Sequence, residues 1–158
     1  PMEVLAPGEG KSIPGAELYQ NGTLFHGPSF QGVQRVLSLA PDRLTMECSL
    51  DPLAERIQGQ FPVQTTNPFI YDTIVQCLLI WSQYRVQAPC LPSSLVRLEQ
   101  YHHVPFGQLF YVTLEVVNVT DTSVVGDILV QDAHGEVYLR FTGLEGTISP
   151  HLKRLLSK

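Results

Sequence analysis

The chain has 158 residues, 44% of them hydrophobic, three cysteines and a formal charge of −5 at neutral pH, enough for one core and too little for two. Ten Lys and Arg scattered among fifteen Asp and Glu form no phosphate-tracking surface, which argues against a nucleic-acid partner. Cys48, Cys77 and Cys90 are odd in number and lack CxxC or CxxH spacing, so neither a disulfide framework nor a metal site is expected, and a reducing cytoplasm fits best.

Residues 1–16 hold three Pro and three Gly and read as a linker or extended arm, with order expected to begin near Glu17. Because the chain opens on Pro1 rather than Met, it is expected to be a piece of something longer. After the turn at Gly27-Pro28, two β-rich runs follow, Val33–Ala40 and Arg43–Leu50, separated by Pro41-Asp42 as in a hairpin. Residues 51–60 have room for one short helical turn.

Asn67-Pro68 then predicts a helix start, since Asn can cap the free amides and Pro at the first helical position loses no hydrogen bond. The helix should run from Pro68 to about Arg85. Its apolar residues, Phe69 and Ile70 through Ile80 and Trp81, are spread over more than one face, so it should lie largely inside the fold. Asp72, Gln76 and Gln83 interrupt the apolar run too often for a membrane span.

Leu95–Tyr101, Gln108–Val119, Ser123–Gln131 and Glu136–Ile148 are β-rich, with Asp132-Ala133-His134-Gly135 as the last tight turn. Strands on both sides in sequence of one buried helix predict an α+β domain, an antiparallel sheet wrapped around a long central helix, over residues 17–150. Residues 151–158 are left as a tail.

Asp72 stands four residues before Gln76, so on a helix the two side chains share a face and can hydrogen-bond. Asp72 falls in the second turn, where the helix dipole's help to an acid is fading, so capping does not explain it. Among Ile70, Ile74 and Val75 a desolvated carboxyl would favour its protonated form, as a general acid requires. Spacing and composition alone favour an Asp that simply faces solvent at the sheet edge. Ser29 lacks the glycine spacing of a nucleophile elbow, and Gly10-Lys11-Ser12 lacks the first glycine of a phosphate loop. Cys90, between two prolines, has no neighbour in sequence that would lower its pKa.

Three runs occur in a meaningful order: His26-Gly27-Pro28-Ser29-Phe30, Asp72 to Gln76, and Leu91-Pro92-Ser93-Ser94. In composition, order and spacing they resemble the C-terminal hotdog half of dehydratase domains from polyketide and polyunsaturated fatty acid synthases. The family's Tyr-Gly-Pro-x-Phe element stands here with His26 in place of Tyr, its Asp-x-x-x-Gln/His element is Asp72 with Gln76, and its Leu-Pro-x-Ser element is Leu91 to Ser94. The run Leu24-Phe25-His26-Gly27-Pro28 looks closer to dehydratases of polyunsaturated fatty acid or glycolipid synthases than to those of modular antibiotic synthases.

The resemblance implies a hotdog fold and dehydration of β-hydroxyacyl groups on an acyl carrier protein, with no cofactor. It implies Asp72 as the acid for the departing hydroxyl and Gln76 as the residue that positions it. His26, Gly27, Pro28, Phe30 and Pro92 would bind substrate. The family's base belongs to a His-x-x-x-Gly-x-x-x-x-Pro element. His103 with Gly107 imitates its first half, but Val112 stands where Pro is needed, so His102 and His103 are expected to be turn residues. The chain alone is therefore expected to be inactive, needing an N-terminal hotdog half or, failing that, a second copy of itself in a homodimer. Two other readings are a non-catalytic hotdog that binds an acyl chain or acyl carrier protein, and a homodimeric hotdog thioesterase or hydratase.

Overall fold

A computed structural model describes residues 12–52, 67–149 and 151–152. The short helical turn expected within residues 51–60 falls largely outside the described residues, as do most of the N-terminal arm and of the C-terminal tail. Strand β1 (Ile13–Pro14) leads directly into helix α1 (Gly15–Gln20), and a 3₁₀ turn covers Pro28–Phe30. Strands β2 (Val33–Leu39) and β3 (Arg43–Cys48) form the expected hairpin. Helix α2 (Pro68–Arg85) is followed by β4 (Cys90–Gln100), β5 (Phe110–Val119), β6 (Ser123–Gln131) and β7 (Val137–Ile148).

All seven strands belong to one antiparallel sheet in the order β1-β2-β3-β5-β6-β7-β4. On β6 the period-2 rule is followed throughout, with Val124, Gly126, Ile128 and Val130 buried and the residues between them half-exposed. The same alternation on β3 and β5 aims Leu44, Met46, Phe110, Val112 and Leu114 at one layer, and Ile70, Ile74 and Leu78 of α2 fill it. Each such side chain taken from water stabilises the fold by about 1.5–3 kcal/mol. The α+β hotdog arrangement, one long helix packed into a curved antiparallel sheet, is thus the observed one.

Helix α2 starts where the sequence sets it. The Asn67 side chain accepts from the amides of Phe69 and Ile70, at 3.1 and 3.3 Å, satisfying two donors that the first turn leaves free. Between Pro68 and the last turn, the stripe through Tyr71, Asp72 and Val75 opens toward solvent.

Two boundaries differ from expectation. Regular structure starts at Ile13, inside the stretch read as an arm, because Ile13 and Pro14 pair with β2 and Gly15 lies against the Val33 carbonyl, where a Cβ would come within 1.8 Å. Strand β4 starts at Cys90, five residues before Leu95. Pro92, which cannot donate to a ladder, is tolerated because β4 is the edge strand.

Candidate active site

Asp72 sits in the second turn of α2 with its side chain 34% exposed, so it is a carboxyl at the mouth of the core rather than one sealed in it. Its Oδ2 accepts from Gln76 Nε2 at 3.0 Å. Gln76 itself is buried, and each of its polar atoms is used. Nε2 also donates to the Phe30 carbonyl at 2.9 Å, and Oε1 accepts from the Tyr19 hydroxyl at 2.8 Å. Those two contacts fix which way the amide points, so that Nε2 has to face Asp72.

Tyr19, on α1, links the amide to the sheet, since its hydroxyl accepts from the Val33 amide at 3.1 Å. Burial pushes the Tyr19 phenol well above the ordinary tyrosine range, which keeps it an O–H donor. Sequence reasoning missed this residue. It lies 57 positions before Gln76, and no local spacing connects them.

The turn bearing Gly27, Pro28 and Phe30 is pinned to α2. The Phe30 carbonyl takes the Gln76 bond and a longer one from Thr73 Oγ1 at 3.5 Å. Gly32 lies so close to the helix that a Cβ would stand 2.6 Å from Thr73 Cγ2. The Phe30 ring packs on Phe69 with centroids 4.8 Å apart.

His26, from the same segment, brings Nε2 to 3.5 Å from Asp72 Oδ2, with only 13% of its side chain exposed. Burial pulls the His26 pKa below the ordinary histidine value, and the Asp72 charge opposes that in part. The imidazole is therefore neutral at pH 7.

The remaining residues implied by the resemblance are more dispersed. Gly27 and Pro28 are exposed, and Pro28 borders a hollow of about 330 Å³ with Gln31, Ser49 and Leu109. Pro92 is exposed on β4 opposite Gly146, whose Cα faces Leu78, six residues past Asp72 on α2. A hollow of about 710 Å³ opens on the sheet face turned from α2, among Arg43, Tyr111 and Arg140. Neither hollow includes Asp72.

His102 and His103 are exposed in the β4–β5 connection. His102 pairs with Glu136 at 3.0 Å, and His103 meets Gln100, which accepts from Tyr71 Oη at 2.6 Å. Cys48, Cys77 and Cys90 are buried free thiols, and burial holds the Cys90 thiol up at about 11. Among the described residues no cluster of three or more His, Cys, Asp or Glu could hold a metal ion, and no helix is long and apolar enough to cross a membrane.

An antiparallel sheet packed around one long central helix defines the class: a hotdog domain. The chain belongs to the family described as "Polyketide synthase dehydratase N-terminal domain", whose model matches residues 3–155.

It is 34% identical over 99 residues to a polyunsaturated fatty acid synthase polypeptide of Thraustochytrium sp., covering 61% of this chain and 4% of that protein. The dehydratase domain of a mycocerosic acid synthase-like polyketide synthase is similar in structure, with a TM-score of 0.69 and 21% identity over 87% of this chain and 49% of that one. So is the dehydratase domain from the CurJ module of curacin polyketide synthase, with a TM-score of 0.71 and 18% identity over 100% of this chain and 55% of that one. At these identities the two structures establish the hotdog fold. The chain spans about half the length of those dehydratase domains and a small fraction of the fatty acid synthase polypeptide.

Proposed function

We propose that this chain is the acid-bearing, C-terminal hotdog half of a synthase dehydratase. It acts on a β-hydroxyacyl group carried by an acyl carrier protein. A histidine from the other hotdog removes the α-proton, the electron pair forms the α,β-double bond, and the β-hydroxyl leaves as water after taking a proton from Asp72. Gln76 holds Asp72 for that transfer. The observation that carries the reading is the Asp72–Gln76 pair, with its amide fixed by Tyr19 and Phe30 and its carboxyl at the open stripe of α2.

The matched family description speaks of an N-terminal domain, while two features support the acid-bearing half. Asp72 and Gln76 stand four apart on the central helix, and none of the five histidines begins a His-x-x-x-Gly-x-x-x-x-Pro run. The test is to join the chain to a histidine-bearing hotdog and follow conversion of a β-hydroxyacyl thioester to the enoyl thioester. Turnover by the joined protein and none by the chain alone is expected. An inactive joined protein that still binds acyl carrier protein would instead mark a binding module. Hydrolysis by the chain alone would mark a thioesterase.

The same proposal names a docking edge. Among the described residues β4 pairs on one side only, with β7, and it exposes Leu95, Val96 and Leu98, Val96 to 81%. An unpaired edge strand of 11 residues with these three apolar side chains exposed favours strand addition. The other hotdog, or a second copy in its absence, covers it. Light scattering should show the isolated chain as a homodimer that Val96→Lys converts to monomer, and a wild-type monomer at high concentration would remove β4 from the proposal. A cytoplasmic location belongs to the same reading, as the setting of carrier-bound acyl chemistry.

A further inference from the structure

His26 stands where the dehydratase pattern has tyrosine, and the fold turns it onto the acid. Its two ring nitrogens have different surroundings. Nε2 faces Asp72 Oδ2 at 3.5 Å, while Nδ1 is enclosed and has no hydrogen-bond partner among the described residues. The Phe25 ring stacks on the imidazole with centroids 4.4 Å apart and planes 20° apart.

Neutral imidazole has one N–H and one bare nitrogen, and this packing distinguishes the two tautomers. With the proton on Nε2, a donor faces the carboxylate and a bare lone pair is enclosed beside Phe25. With the proton on Nδ1, an N–H is buried without an acceptor and two lone pairs, on Nε2 and Oδ2, oppose each other. Nδ1 is unpaired in both arrangements, so the opposed lone pairs at Nε2 and Oδ2 decide against the second. A doubly protonated ring would bury that same orphan donor with a charge on it. The geometry therefore selects the neutral ring protonated at Nε2.

That choice separates His26 from the role of a base. The nitrogen that could accept a proton is sealed away, and the one near the reacting side already carries a proton. We propose that His26 is a positioning residue that, together with Gln76, holds Asp72 by Oδ2 and leaves Oδ1 for the substrate hydroxyl. Oδ1 takes no hydrogen bond from the described residues, whereas Oδ2 has a donor at 3.0 Å and the imidazole at 3.5 Å. A 3.5 Å approach is long for a hydrogen bond, and it is expected to shorten when substrate draws the carboxyl into line. This rests on Asp72 being the acid that meets substrate.

Two measurements test it, one without turnover. Nitrogen NMR on the whole 158-residue chain, with the His26 signals assigned by their loss in His26→Tyr, should show Nε2 protonated and Nδ1 bare at pH 7. Asp72 is the charged group that acts on His26, from α2, and its own segment contributes only the Phe25 ring. Asp72→Asn should therefore move the His26 titration further down. A proton on Nδ1, or a His26 titration unmoved by Asp72→Asn, overturns the proposal.

In the intact synthase, His26→Phe should lower kcat by a factor of about 10–100 with KM little changed, the cost of a misplaced reacting group. His26→Tyr, which restores a donor, should recover most of it. Equal losses in the Phe and Tyr variants would overturn the proposal even if the tautomer is as expected. A synthase indifferent to Asp72→Asn would instead remove the acid assignment and leave the NMR result standing.

Discussion

Asp72→Asn in the chain joined to its histidine-bearing half should lower dehydration of a β-hydroxyacyl thioester by a factor of about 10²–10⁴, the range in which positioned proton transfer contributes. The substitution keeps the shape and the Gln76 contact but removes the transferable proton. Since the carboxyl is already a third exposed, the unfolding midpoint in urea should stay where it is. Full activity in Asp72→Asn, measured by appearance of the enoyl product, would end the acid assignment. A collapse of the midpoint would show that the residue serves the fold instead.

Gln76→Leu should have the largest effect on stability within the site. Leucine fills similar space but leaves the buried Tyr19 hydroxyl without its acceptor and the Phe30 carbonyl with only the long Thr73 contact. At about 1–3 kcal/mol for each buried group left unsatisfied, the loss should be about 2–5 kcal/mol. Urea unfolding reads this as a lower midpoint at an unchanged slope. Dehydration by the joined protein should fall as well, because Asp72 loses its nearer donor. A midpoint within experimental scatter of wild type would mean that water replaces the amide.

The central helix was legible because several local signals agreed: an Asn-Pro start, 18 residues without Gly, and apolar positions on every side. Strand β6 was legible from its richness in Val, Ile and Leu after the reversal at Asp121-Thr122. The start of β4 was not, because Pro92, Ser93 and Ser94 read as a breaker, and nothing local reveals that the strand is at an edge. The start of α1 was hidden by Pro14 and Gly15, which read as part of an arm, whereas Pro14 pairs with β2 and Gly15 packs against the Val33 carbonyl.

Within the site, Asp72 and Gln76 could be found because they lie one turn apart on one element. The contact of His26 with Asp72 and that of Tyr19 with Gln76 join residues 46 and 57 positions apart. Such pairings are set by how α1 and the Gly27-Pro28 turn dock on α2, which periodicity does not encode.

The segment from His26 to Gly32 is fastened to α2 through the Phe30 carbonyl and ring, the His26 imidazole and the absence of a side chain at Gly32. Every described group that orients the acid, namely Gln76, Tyr19, the Phe30 carbonyl and His26, comes from this chain itself. On the proposed reading, the groups that orient the acid would travel with this chain wherever it is placed, and a histidine-bearing hotdog joined to it would add the base.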